Sequence, residues 1–193
     1  MTTAETSPPP PSSARGTEIA FYGNGKSRTN RISLITHFEQ ATRIAPVTHT
    51  IRKGQSRFGK GNRTDYWWKM RNARFCLQLP GLSAECYRMY EALDAGCVPV
   101  LPFDLGPRYG HDVQTQYRWL VGGRGSAGGE WGVAPFPHGP TSAGLADTMA
   151  MLHTDLESVS RLQADATRWW QNAMAQVSGR LREAGERVTT TRC

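Results

Sequence analysis

The chain has 193 residues, 38% hydrophobic and 20% charged, enough for one sizeable core and short for two. No apolar run nears the roughly 20 residues that cross a bilayer, and no charged-then-apolar leader opens the chain, so as given it reads as soluble. A net charge of +7 favours an anionic partner, without choosing among nucleic acid, acidic lipid, polyanionic glycan and a phosphorylated small molecule.

Residues 1–16 are rich in Ser, Thr and Pro and lack periodicity, which predicts a disordered tail before a domain over 17–187. Glu18 to Tyr22 forms a short apolar strand ended by Gly23-Asn24-Gly25. Thr29 or Asn30 then caps a helix with Ile32, Ile35 and Phe38 on one side. Pro46 to Ile51 alternates as a second strand, and residues 52–63 form a basic, Gly-rich loop. Asp65 to Asn72 is a short helix, and Arg74 to Gln78 a third strand stopped by Pro80-Gly81. Ser83 caps a helix over Ala84 to Ala95, whose Cys86, Met89, Tyr90 and Leu93 form one stripe. Gly96 ends it where a left-handed backbone is needed. Val98 to Leu101 is a fourth strand, and Pro99 suggests a sheet edge or a strand start.

Residues 102–140 are irregular around a glycine-rich centre. Two helices follow, at about 142–153 and 155–187, the second carrying Leu156, Val159, Ala166, Trp170, Val177 and Leu181 along one face. Residues 188–193 are expected to fray. Strands alternating with helices at this spacing predict a doubly wound, Rossmann-like α/β domain with a mainly parallel sheet.

The cysteines at 76, 86, 97 and 193 show neither zinc spacing nor the density of a disulfide scaffold, so buried free thiols are expected. His37, His49 and His153 read as surface or packing residues, and Trp67, Trp68, Trp169 and Trp170 as core or interface. Neither a catalytic triad nor a metal constellation emerges, and no metal or cofactor is expected.

In an open parallel sheet, ligands bind beyond the carboxyl ends of the strands. The loop from Gly23 to Arg28 places glycines and cations there, a weak phosphate signal that a plain turn explains equally well. The segment from Pro80 to Glu85 opens a helix whose amides would favour an anion. Arg88 could reach a diphosphate and Glu91 a ribose diol. Yet Glu85, Arg88 and Glu91 stand at i, i+3 and i+6, the spacing of an ordinary surface ion-pair ladder.

The stretch Tyr66-Trp-Trp-Lys-Met-Arg-Asn-Ala-Arg-Phe-Cys-Leu-Gln-Leu-Pro-Gly81 precedes Arg-x-x-Glu-Ala-x-x-x-Gly-Cys-x-Pro-Val at residues 88–100. Together they resemble the exostosin-type glycosyltransferase family, in wording nearest its ribitol xylosyltransferase branch. The resemblance implies the C-terminal, donor-binding half of a two-domain GT-B fold. It also implies inverting transfer from a UDP-sugar, UDP-xylose by branch, to a glycan or alditol-phosphate acceptor in the Golgi lumen. Gly81, Leu82, Ser83 and Glu85 would face the donor diphosphate and sugar. Arg88 would hold phosphate charge and Glu91 the ribose; from position alone, after the first strand, Gly23 and Arg28 or Arg31 would add a second phosphate contact. The family's N-terminal acceptor domain and membrane anchor have no counterpart in this sequence, so a missing domain or a partner chain is expected to complete the site. The alternative is a non-catalytic module in which basic residues 52–74, interleaved with aromatics, bind a polyanion or nucleic acid.

Overall fold

The computed structural model describes residues 9–23, 31–42, 48–51, 63–79, 87–102, 135, 137–139 and 142–190. Five strands, β1 (Thr17–Gly23), β2 (Thr48–Ile51), β3 (Ala73–Leu77), β4 (Val98–Pro102) and β5 (His138–Gly139), form one sheet in the order β2-β1-β3-β4-β5. Every pairing is parallel. Ala20 lies beside Thr48, Ile19 beside Phe75, Phe75 beside Val98, and Leu101 beside His138. The expected α/β class with a parallel sheet is what the chain adopts.

The helices are α1 (Arg31–Thr42), α2 (Arg63–Arg71), α3 (Arg88–Asp94), α4 (Ser142–Thr154) and α5 (Leu156–Thr190). Strand alternation divides the core. Ile19, Phe21, Phe75, Leu77 and Val100 meet Ile35 and Phe38 of α1 and Leu145 and Met149 of α4. Ala20, Tyr22 and Cys76 turn the other way, toward Tyr66, Trp67 and Met70 of α2 and Ala92 of α3. The long α5 lies against α3, α4 and β4. Its Trp170 stacks on Tyr90 at 5.6 Å and donates from Nε1 to Asp94 Oδ1 at 2.5 Å. Trp169 and Trp170 are core residues.

Several expectations need correction. Ile32, expected on the apolar side of α1, is 49% exposed, because Arg31 takes the buried place at the start of that helix. Leu156 and Leu181 are exposed too, and the buried stripe of α5 runs through Val159, Ala166, Trp169, Trp170 and Ala173. Residues 188–190, expected to fray, continue α5. The sheet has a fifth strand inside the stretch expected to be irregular. As a result β4 is interior despite Pro99, and Leu101 N–H donates to the Pro137 carbonyl.

Residues 9–16, assigned from sequence to a disordered tail, are seated against the domain. Ser12 and Arg15 are buried within or beside a 3₁₀ turn at Ser12–Ala14. What holds this segment is mostly side chain to backbone. Arg15 Nε donates to the Pro10 carbonyl and Arg74 Nε to that of Ser12, while Gln163 Nε2 also reaches the Pro10 carbonyl. Such bonds leave no hydrophobic period in the sequence.

The cysteines hold the last correction. Cys76 and Cys97, expected as free thiols, form a disulfide across a Cα separation of 5.9 Å. Parallel pairing of Phe75 with Val98 brings these two positions together although 21 residues separate them.

Candidate functional site

From β1 the chain runs to β2 on one side, and from β2 it crosses to β3 on the other, so the strand order reverses between β1 and β3. In a doubly wound sheet of order 2-1-3-4-5, that reversal opens a crevice at the strands' carboxyl ends. Four of the expected site residues are described at the ends of the elements that border it. Gly23 is the last residue of β1, Arg31 the first of α1, and Arg88 the first of α3, with Glu91 one turn further on. Arg28, Gly81, Leu82, Ser83 and Glu85 lie outside the described residues, as do the proposed caps Thr29, Asn30 and Ser83. Tyr87 already has right-handed helical backbone, and its carbonyl accepts from Glu91 N–H.

The structure brings Arg31 and Arg88 together at one aromatic ring. The Arg31 guanidinium lies 5.7 Å from the centroid of Phe21 and that of Arg88 6.0 Å from it. Arg31 is only 2% exposed. Keeping a guanidinium that deep costs several kcal/mol before compensation, so an arginine there is not a neutral choice. Arg88 also lies 5.6 Å from the ring of Tyr87, itself 67% exposed.

Glu91 is positioned from a different element. Its Oε2 accepts a hydrogen bond of 2.8 Å from the Tyr66 hydroxyl on α2. Tyr66 meets the Tyr22 ring edge-on at 6.1 Å, and Tyr22 donates to the Lys69 carbonyl at 3.1 Å. Burial is the main cause holding the Tyr66 phenol far above its ordinary pKa, and the Glu91 carboxylate adds to it; the nearby Arg88 charge acts weakly in the opposite sense. Tyr66 is therefore a permanent donor at neutral pH.

Phe21, Tyr66 and Tyr87 were not singled out from sequence as site residues. Phe21 reads as a strand apolar residue and Tyr66 as part of a packed helix. Only the pairing of β1 with β3, and the placing of α2 beside α3, put them at the crevice. Most cations of the basic stretch over 52–74 lie at positions whose side chains are not described. Among its described cations, Arg71 is buried and Arg74 bonds the Ser12 carbonyl; residues 52–62 lie outside the described residues.

In α/β domains of this strand order, ligands bind in the crevice beyond the carboxyl ends of the strands. Residues 2–121, more than half of the chain, match the exostosin GT47 domain, and the chain belongs to that family. The match ends before β5, α4 and α5. No curated protein and no solved structure matches the chain. Family membership points to glycosyltransferase activity, with a nucleotide sugar and a glycan acceptor as the reactants. Among the described residues no helix is long and apolar enough to cross a membrane.

Proposed function

We propose that this domain binds the UDP-sugar donor of an inverting glycosyl transfer, as the C-terminal half of a GT-B arrangement. The convergence of Arg31 and Arg88 on Phe21 at the switch point is the observation that carries this reading. Transfer from a nucleoside diphosphate leaves negative charge on the departing diphosphate, and fixed cations in a water-poor crevice stabilise it. In this reading Arg88 and Arg31 hold that charge, with Gly23, Arg28 and residues Gly81, Leu82, Ser83 and Glu85 around it, and Glu91 takes the ribose.

UDP-xylose is the donor proposed from the wording of residues 85–92, with a glycan or alditol phosphate as acceptor. The acceptor site and the general base come from a facing domain or partner chain. The Cys76–Cys97 disulfide supports a compartment of oxidising character, which suits the Golgi lumen.

Calorimetric titration of the folded chain with UDP, with and without a divalent cation and against GMP and ADP, tests the proposal. UDP should bind without added metal, and Arg88→Ala or Glu91→Ala should weaken it roughly tenfold or more, as losing a charged hydrogen bond does. A folded chain blind to UDP would overturn the reading and return the polyanion alternative to the front.

A further inference from the structure

We propose that Tyr66 is a positioning residue that aims the Glu91 carboxylate at the ribose diol, and so sets preference for ribonucleotides over deoxyribonucleotides. The inference rests on the donor-binding reading above and names which part of the donor is read, and by what.

A carboxylate has two oxygens and about four lone-pair directions. A bidentate arginine would occupy both oxygens and cancel the charge, leaving a poor acceptor for a diol. At Glu91 the partner is a phenol instead. Tyr66 takes one position on Oε2, and among the described residues no other hydrogen bond to this carboxylate occurs. No cation among the described residues pairs with the group, Oε1 remains an acceptor, and the bond restrains its rotation.

The donor is itself fixed. The Tyr66 ring stands edge-on to Tyr22 at 79°, and the Tyr22 hydroxyl is anchored to the Lys69 carbonyl of the same helix, α2. Glu91 stands on α3, one turn from Arg88. Holding an acceptor in place before the ligand arrives removes ordering cost from binding. A diol that donates to it is then distinguished from a ligand lacking one hydroxyl by a carboxylate oxygen left unpaired.

The Tyr66–Glu91 bond also ties α2 to α3, so a merely structural role would lower stability in a Tyr66→Phe variant without altering ligand preference. The test is therefore a ratio. UDP and 2′-deoxyuridine diphosphate are titrated into wild type, Tyr66→Phe and Glu91→Gln. Wild type should prefer UDP by roughly tenfold, the worth of one hydrogen bond to a charged group. Tyr66→Phe should bring that ratio close to unity, with deoxy affinity changed by no more than about twofold.

Glu91→Gln keeps shape and offers Tyr66 one carbonyl oxygen; its ratio should collapse as well, and a preference that survives there overturns the proposal even if the phenylalanine variant does not fold. A wild-type preference that survives either substitution overturns the proposal while leaving donor binding intact. Wild type that binds both nucleotides equally overturns it too. A wild-type chain that ignores UDP altogether removes the donor reading and this inference with it.

Discussion

Tyr66 and Arg15 are both displaced from their ordinary ionisation, and they drive alkaline stability in opposite senses. Tyr66 has a raised folded pKa, so its neutral contribution is whole below pH 10, its ordinary value, and is lost as pH rises toward the folded one. Arg15 is lowered to about 10, first by burial and then by the neighbouring Arg71 charge. Above that pH the unfolded chain holds the Arg15 proton more tightly than the folded one, so this group adds stability as pH rises. A single melting curve mixes the two, and the difference between wild type and Tyr66→Phe isolates the phenol. Wild type should melt higher than Tyr66→Phe at about pH 8, with the gap narrowing above about pH 10. A gap that stays constant across that range would show that Tyr66 titrates like an exposed tyrosine.

At the level of elements, the end of α3 shows how the seated N-terminal segment and the sheet depend on each other. Gly96 has φ +66°, its N–H bonds the Leu93 carbonyl, and Cys97 N–H bonds that of Ala92. This is the paired closure that ends a helix on a left-handed glycine. A Cβ at residue 96 would fall 2.5 Å from Pro9 Cβ and 3.0 Å from an Arg15 guanidinium nitrogen. Gly96→Ala should therefore destabilise by about 1–3 kcal/mol, combining backbone strain with a steric clash. A loss of unfolding free energy in urea below about 0.5 kcal/mol would mean that neither the left-handed backbone nor the Pro9 contact is present.

The sequence shows why one side of this contact was legible and the other was not. Gly96 after a periodic helix is a local signal. Pro9 to Arg15 is held by arginine and glutamine side chains on backbone carbonyls, which leave no pattern. The sheet was legible where strands are apolar and bounded by turn residues, as at β1, β3 and β4. Two-residue β5 carries too few residues to show a period, and the buried Arg31 follows no rule that propensity supplies. At the candidate site, the motif picked out Arg88 and Glu91, whereas Tyr66 required knowing which helices lie side by side.

Over the whole molecule, the disulfide joins strands that neighbour each other in the sheet but not in the chain. Cross-linking a loop of this size contributes about 2–4 kcal/mol, mainly through the unfolded chain. Reductant should lower the melting temperature of wild type and leave a Cys76→Ala, Cys97→Ala variant unmoved. If both respond alike, the bond is not formed in the folded protein. Its absence from the sequence reading has a plain cause. Four cysteines in 193 residues do not look like a scaffold, and only the pairing of β3 with β4, which sets residue 76 opposite residue 99, brings it within reach of residue 97.

The same bond makes the crossover from β3 through α3 to β4 a closed covalent ring, and this ring contains Gly81 to Glu85, Arg88 and Glu91. A protease that cuts anywhere between residues 77 and 96 opens the ring without releasing a fragment. The two pieces travel as one molecule until a thiol separates them. Damage at the candidate site would then pass unseen on a non-reducing gel and show only as lost function.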